Sequence, residues 1–392
     1  MHAIKSFRTM AALAAAIASW ATVASLAAQG VAPAQTSATG SRPPTAGDVF
    51  KNVQLLKDVP VDQFMGTMGF FSASLGLNCT DCHVDESGGS WARYADDNVR
   101  KRTTRRMMQM VAGINRTNFG GRQVVTCFTC HRGNKAPTVM ASLDLLYSSP
   151  PPEEPGDPIL RTAAGLPAPE QVLDKYLRAV GPADRVAALT SLGLKGTYIG
   201  FDDADKMPVE IAATSQGQRA AVVHQLTGDS TTVLDGTNGW TAAPATDKPV
   251  PLLVLTGEEL EGQKLEAQVL FPGRIKQALT NWRTGYPTEI GDREVDVVQG
   301  TMPGGGTATL CFDSETGLLT RLVRYGDSPV GRIVTRVDYS DYRDVAGVKI
   351  PFKWTVTWLD GRSHYEMSEA RPNVPLDAKL FTRPAPSIPP RR

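Results

Sequence analysis

The sequence lacks several features, and each absence excludes a class of protein. After the first 28 of its 392 residues, no segment is apolar for long enough to cross a membrane as a helix. The formal net charge is only +1, so charge gives no general argument for nucleic acid as a partner, and we expect none. With 41% hydrophobic residues, the chain is also not of the polar kind that stays disordered throughout. Its length indicates two domains plus tails.

The one long apolar run lies at the N-terminus, where Met10 to Ala28 follows Lys5 and Arg8. The small residues Ser25 to Ala27 offer a cleavage site, and Ala32 to Ala34 offers a second. A retained anchor is the alternative, because about 19 residues could just span a bilayer. The high alanine content favours removal. We predict a signal peptide over residues 1–28 and a mature protein that is soluble in the periplasm.

Cysteine and histidine are scarce, with five of each, yet most of them fall into two copies of one motif. The motif is Cys-x-x-Cys-His, the attachment signature of c-type haem. Cysteines three positions apart lie about one helical turn apart, so both can add to the vinyl groups of one haem. The adjacent histidine can then bind the iron. The sequence predicts two haem c groups, held covalently by Cys79 and Cys82 and by Cys127 and Cys130, with His83 and His131 as axial ligands.

Cysteines in such pairs have two other common uses. Paired Cys-x-x-Cys motifs can hold zinc, and cysteines of exported proteins usually form disulfides. A dithiol pair does not need the histidine, and a thiolate zinc site is less usual in an oxidising compartment. Haem is therefore favoured. The fifth cysteine, Cys311, has no partner thiol left and is expected to be buried in a strand.

The distal ligand of each iron must be something other than histidine. The remaining histidines of the mature chain, His224 and His364, lie in its C-terminal half. A methionine thioether is a good ligand for haem iron, and a predicted helix precedes each motif, over Thr67 to Leu75 and over Thr103 to Ile114. Spacing alone leaves open Met65 or Met68 for the first haem and Met107, Met108 or Met110 for the second.

Composition divides the chain into segments. Residues 29–47 are rich in Ala, Thr, Ser, Pro and Gly and predict a flexible tether, and residues 148–164 form a proline-rich linker. Between them, residues 48–147 are mainly helical, and we call them the N-terminal region. The tail, residues 383–392, is predicted to be disordered.

Residues 165–382 have a different character, and we call them the half-barrel region. They open with an amphipathic helix over Pro169 to Val180 and contain a helical interlude near 257–279. Elsewhere they show short alternating apolar runs separated by turn residues. We predict a multidomain protein: a mainly α dihaem cytochrome c domain, followed by an α+β domain with a curved antiparallel sheet, or half-barrel.

The order of helix, methionine and haem motif recurs in the N-terminal region. The first unit comprises Asn52 to Pro60 and Phe64-x-x-x-Met68, and the second comprises Thr104 to Met110, Ile114-Asn115 and Cys127 to Gly133. In these motifs the region resembles the cytochrome subunit of photosynthetic reaction centres. The resemblance implies a distal methionine on the helix before each motif, and position points to Met68 and Met107. That family typically carries four haems, whereas this chain has two motifs.

The half-barrel region shows a weaker resemblance, carried by its leading helix and by the runs Ile333 to Tyr342 and Val348 to Trp358. It resembles the periplasmic lipoprotein-carrier half-barrel. This resemblance implies a concave apolar sheet that could hold a hydrophobic ligand.

Together these features predict an electron carrier rather than a catalyst, served by redox protein partners or a membrane electron-transfer complex. A peroxidase-like oxidoreductase with one open iron is the first alternative, and a hydrophobic-ligand carrier with an attached haem domain is the second. The basic run Arg100 to Arg106 could dock an acidic partner or neutralise haem propionates. Alternatively, it is a solvated helix face beside Asp96 and Asp97.

Overall fold

A computed structural model describes residues 42–83, 91–140, 143, 158–162, 164–200, 205–244 and 249–387. The predicted signal peptide, most of the tether, most of the proline-rich linker and the end of the tail lie outside these residues. From Pro43 onwards the chain forms one compact unit. Within the described part, no helix is both long enough and apolar enough to cross a membrane.

The N-terminal region is helical, as predicted. Its elements are α1 (Ala46–Val49), α2 (Val61–Leu75), α3 (Cys79–Cys82), a 3-10 turn (Trp91–Ala95), α4 (Val99–Asn118) and α5 (Cys127–His131). Helix α2 begins six residues before the predicted Thr67, and its first turn contains the polar residues Asp62 and Gln63. Helix α4 begins at a cap, where the side chain of Asn98 accepts the N–H of Lys101 at 3.0 Å.

The half-barrel region contains one large sheet. Its strands are β1 (Ser191–Ile199), β2 (Met207–Thr214), β3 (Gln218–Gln225), β4 (Gly228–Asp235), β5 (Gly239–Ala242), β6 (Leu252–Leu255), β7 (Thr280–Thr284), β8 (Thr288–Ile290), β9 (Arg293–Thr301), β10 (Thr307–Asp313), β11 (Leu319–Ser328), β12 (Gly331–Val345), β13 (Val348–Trp358) and β14 (Gly361–Pro372). The order is β6-β5-β4-β3-β2-β1-β14-β13-β12-β11-β10-β9-β7, with β8 also on β9. Strands β6 and β7 form the two edges, so the sheet is not closed. The predicted fold class is confirmed.

Helices cover one face of this sheet. They are α6 (Pro169–Val180), α7 (Ala183–Ala188), α8 (Gly257–Val269) and α9 (Ile275–Ala278), with a 3-10 turn at Pro272–Arg274. A further 3-10 turn, Ala378–Phe381, packs on the other face, where Phe381 contacts Ala220 and Val233. Helix α6 has the predicted bounds and buries Leu173 and Tyr176 in the main core, together with Leu322 of β11 and Val337 of β12. The helix-covered face of the sheet is therefore packed with the chain's own side chains.

The isolated cysteine and the two C-terminal histidines occupy structural positions. Cys311 is buried in β10 beside Val295 and Val297, as its alternating strand pattern predicts. His224 and His364 are exposed and interact locally, His224 with the carboxylate of Asp229 at 2.8 Å.

Candidate functional site

Each Cys-x-x-Cys segment forms a single helical turn because the residue before it acts as a cap. At the first motif, Asn78 Oδ1 accepts the N–H of Asp81 at 3.0 Å, and the Asp81 carboxylate accepts the N–H of Asn78 at 3.0 Å. At the second motif, the hydroxyl of Thr129 accepts the N–H of Thr126 at 3.0 Å. Each cap places the first and fourth residues of its turn, the two cysteines, on the same side.

Both motif histidines are oriented by the same kind of contact. Nδ1 of His83 lies 3.0 Å from the carbonyl oxygen of Tyr94, and Nδ1 of His131 lies 3.0 Å from that of Asn134. A carbonyl oxygen can only accept, so each Nδ1 carries the proton and donates it. The lone pair of each neutral ring is then on Nε2, the atom available to a metal. Burial and the charge of Lys101 lower the pKa of His83, which favours the neutral ring.

A cavity of about 270 Å³ lies at the second motif. Its lining brings together the side chains of Cys127, Cys130 and His131 with Met107 and Met110 of α4. The predicted alternative Met108 lies about 100° around the helix from Met107 and is not among the residues that line the cavity. The rest of the wall is largely apolar, with Phe71, Leu75, Leu77, Val99 and Val111. Two thiols, an imidazole and a thioether within an apolar wall fit a c-type haem.

The two motifs lie close together. Cys82 of the first motif lines the same cavity as Cys127 of the second. Burial raises the pKa of both thiols, which favours their protonated form. Among the described residues, no group of three or more His, Cys, Asp or Glu side chains is arranged to hold a bare metal ion.

The first predicted distal ligand, Met68, lies on α2. The opposite side of this helix carries Gly66, Gly69 and Phe70, which pack against the sheet. By helical spacing, Met68 shares its side with Phe71 and Leu75, and both of these line the cavity. The alternative Met65 is 37% exposed, whereas Met68 is half-buried.

The end of α2 also supports the second motif. The N–H of Gly133, two residues after His131, donates to the carbonyl of Ser74 at 3.0 Å. Gly76 ends the helix with φ of 61°, and a Cβ there would collide with the carbonyl oxygen of Gly133. A glycine is needed at position 76 for both reasons, and it lets the second motif pack directly on α2.

Two asparagines that sequence reasoning did not assign to the site tie α4 to both motifs. Asn98 donates to the carbonyl of Cys82 at 2.7 Å. Asn115 is buried, donates to the carbonyl of Val125 at 2.7 Å and accepts the N–H groups of Val124 and Val125 at 3.1 and 2.9 Å. Asn115 belongs to the pair Ile114-Asn115, which is part of the motif on which the family resemblance rests. A polar side chain within a predicted helix is the sequence feature that could have marked Asn115 as a structural contact.

The basic run makes several contacts within the protein. Arg105 pairs with Asp97 at 2.8 Å, and Arg102 lies 3.9 Å from the same carboxylate. Lys101 donates to the carbonyl of Asp96 at 2.8 Å, and Arg100 donates to that of Asp81. These contacts favour the helix-face interpretation for part of the run. Arg100 also lines the cavity, as does Lys135.

The N-terminal region has relatives among known proteins. The family described as photosynthetic reaction centre cytochrome C subunit matches residues 8–148. A reaction centre cytochrome c subunit of Thermochromatium tepidum is 39% identical over 104 residues, which are 26% of this chain and 24% of that protein. The one from Rubrivivax gelatinosus is 32% identical over 111 residues, 27% of this chain and 28% of that protein. The chain thus spans about a quarter of the length of these relatives, and the predicted resemblance is confirmed.

Solved structures match the half-barrel region more distantly. A LolA superfamily protein from Nitrosomonas europaea is 14% identical, covering 55% of this chain and 98% of its own, with a TM-score of 0.38. A DUF1329 family protein from Desulfovibrio piger is 10% identical, covering 55% of this chain and 98% of its own, with a TM-score of 0.39.

Proposed function

We propose that the protein is an exported dihaem c-type cytochrome that transfers electrons. When bound, each haem would supply one-electron chemistry at its iron. The proposal rests above all on the cavity in which Cys127, Cys130 and His131 meet Met107, because these are the donors that a covalently held His/Met haem requires.

The residues of the two motifs have parallel roles in this proposal. The paired cysteines, Cys79 with Cys82 and Cys127 with Cys130, tether the cofactors. His83 and His131 present Nε2 to the metal because Nδ1 is engaged by a backbone carbonyl. Met68 and Met107 would supply the thioether ligands, and an iron so ligated would be closed to a substrate.

The ligand assignment is tested by exchanging neighbouring methionines. A weak charge-transfer band at the red edge of the oxidised spectrum reports methionine–iron bonding. Met107→Ala should remove about half of this band, since one of two haems loses its ligand, and the reduced protein should then bind carbon monoxide. Met108→Ala is the matched control, because Met108 lies on another side of α4, and it should leave the band intact.

The same measurements separate the carrier from the peroxidase-like alternative. A haem count of two per chain by pyridine haemochrome, with a full methionine band and no carbon monoxide binding in the native protein, supports the carrier. An open site is indicated instead if native reduced protein binds carbon monoxide and Met107→Ala changes nothing.

We further propose that the redox partner is an acidic protein. Residues 91–140 contain ten lysines and arginines and two aspartates, whereas the whole chain has a formal charge of +1. Such a local excess steers an anionic partner towards the haem-bearing surface. The rate of electron exchange with acidic redox proteins should fall steeply as salt is raised. A rate independent of salt would contradict this partner chemistry.

A further inference from the structure

Helix α2 has two different neighbours on its two sides. Phe71 and Leu75 line the cavity, and Met68 shares their side of the helix by helical spacing, while Gly66, Gly69 and Phe70 face the sheet of the half-barrel region. The helix therefore lies between the haem motifs and the sheet, and whatever fixes its rotation also fixes the direction of Met68.

The sheet-facing side is closely interlocked. A Cβ at Gly66 would lie 2.7 Å from Cδ1 of Ile333, and a Cβ at Gly69 would lie 2.6 Å from the indole Cη2 of Trp358. In the reverse direction, the ring of Phe70 occupies the space over Gly331. Side chains of β12 and β13 fill the two gaps in the helix, and a helix side chain fills the gap in β12.

The first turn of α2 is fixed by polar contacts. The carboxylate of Asp62 is buried and accepts the N–H of Thr256 at 2.6 Å and its hydroxyl at 2.8 Å. Gln63 donates to the same hydroxyl at 3.3 Å. Thr256 is the residue that precedes α8, so the start of α2 is held against the start of a helix of the half-barrel core.

The two glycines weaken α2 as an isolated helix, because glycine has a low helix propensity. Their role in the folded protein is in packing. Because glycine has no side chain, Ile333 and Trp358 can pack directly against the helix at these two positions. Ile333 and Trp358 lie on the same faces of their strands as the core residues Val337 and Trp354, since side chains alternate along a strand. Both therefore belong to the packed face of the half-barrel.

We propose that Trp358 and Ile333 are positioning residues for Met68. By filling the space over Gly69 and Gly66, they set the rotation of α2 and would thereby orient the thioether of Met68 towards the first haem. The half-barrel region thus acts as a rigid support for the distal ligand. This inference rests on the proposed function, because it requires a haem at the first motif.

The test is made in the holoprotein with Met107→Ala as background, so that the remaining methionine–iron band reports Met68 alone. Adding Trp358→Ala should abolish most of that band and raise carbon monoxide binding from one to two per chain. Trp358→Phe keeps a ring over Gly69 and should restore the band. Trp240→Ala, which removes an indole from β5 in a separate small cluster, should leave the band unchanged.

A second pair of variants covers the case in which Trp358→Ala does not fold. Gly69→Ala forces Trp358 or the helix to move, whereas Gly113→Ala on α4 meets nothing within 4 Å. Both raise helix propensity equally, so an effect through helix propensity alone predicts no difference between them. We expect Gly69→Ala to weaken the band and Gly113→Ala to leave it intact.

The outcomes separate this inference from the proposed function. If Met68→Ala itself leaves the band in the Met107→Ala background, the ligand assignment of the first haem is wrong. If Met68→Ala removes the band while Trp358→Ala and Gly69→Ala both keep it, the ligand assignment stands and the positioning role is refuted.

Discussion

The two regions of the protein bury their apolar side chains to very different degrees. In the half-barrel region, strands and helices share one continuous core, with Leu192, Leu310 and Leu322 fully buried. In the described part of the N-terminal region, the buried hydrophobic residues are Leu56, Val61 and Phe70. Large hydrophobic residues are exposed there instead: Leu55, Met65, Val99, Met110, Val124, Phe128, Val139, Met140 and Leu143.

This difference indicates what each region needs in order to fold. The half-barrel region satisfies the hydrophobic effect with its own side chains, whereas the N-terminal region leaves an apolar wall that includes Val99 and Met110 of the cavity. A covalently held porphyrin would cover that wall and complete the core. The exposure of Val99 and Met110 would then be explained by contact with the cofactor.

Removal of the haem groups should make the N-terminal region much more susceptible to proteolysis than the half-barrel region. We expect protein in which the four motif cysteines, Cys79, Cys82, Cys127 and Cys130, are replaced by serine to be cut rapidly within residues 91–140. The half-barrel should survive as a protected fragment, because its core does not depend on haem. Limited proteolysis followed by mass spectrometry measures this.

The control for that experiment is Cys311→Ser, which removes the cysteine buried in β10 and leaves both motifs intact. It should keep two haems and the protease resistance of the native N-terminal region. If both regions resist the protease equally in the haem-free protein, the inference that only the N-terminal region needs haem to fold is contradicted.

Truncation of an apolar side chain should show the same contrast. Leu322→Ala empties a fully buried site in β11 and should lower the free energy of unfolding of the half-barrel by about 2–5 kcal/mol. Val124→Ala removes methyl groups from a residue of the N-terminal region that is 49% exposed. It should change the free energy of unfolding of that region by less than about 0.5 kcal/mol. Denaturant unfolding followed by far-UV circular dichroism measures both, and comparable losses would refute the contrast.

Much of this organisation could be predicted from the sequence, and the reasons differ by element. Helix α6 was predicted with its bounds because Pro169 and Gly181 mark its ends and its apolar spacing is regular. The motif turns were predicted because their spacing is dictated by covalent chemistry. Helix α2 was predicted too short, since Asp62 and Gln63 in its first turn are polar and are held by Thr256, which is distant in the sequence.

The positions of the candidate ligands were harder to predict. Spacing could not choose among Met107, Met108 and Met110, because helical position relative to the cavity depends on how α4 is tied down by Asn98 and Asn115. The interlock of α2 with Ile333 and Trp358 could not be predicted either. Its partners are more than 250 residues apart, and glycine in a helix carries no signal of what packs against it.

A smaller effect is expected where α4 is tied to the second motif. Asn115→Ala removes three hydrogen bonds at a buried site and should destabilise the N-terminal region by about 1–3 kcal/mol, because the backbone groups of Val124 and Val125 lose their partner. Asn118→Ala, three residues further along α4, removes one exposed bond to the carbonyl of Ile114 and should have little effect. Thermal unfolding followed at the haem bands compares the two, and similar midpoints would show that Asn115 does not anchor the motif.

The smallest expected effect concerns Asp62, where the two regions meet. Burial raises the pKa of this carboxyl, although hydrogen bonds from Thr256 act in the opposite direction. With the folded pKa above the unfolded one, the stability that Asp62 contributes is fully present below about pH 3.8 and is lost as the pH rises through the folded pKa. The free energy of unfolding of the native protein should therefore fall over that range relative to Asp62→Asn, which does not titrate. Urea unfolding of both proteins between about pH 3.5 and 7 measures the difference. If the difference instead grows in favour of the native protein as pH rises, the bonds from Thr256 outweigh burial, and the junction between the regions is stabilised by an ionised carboxylate.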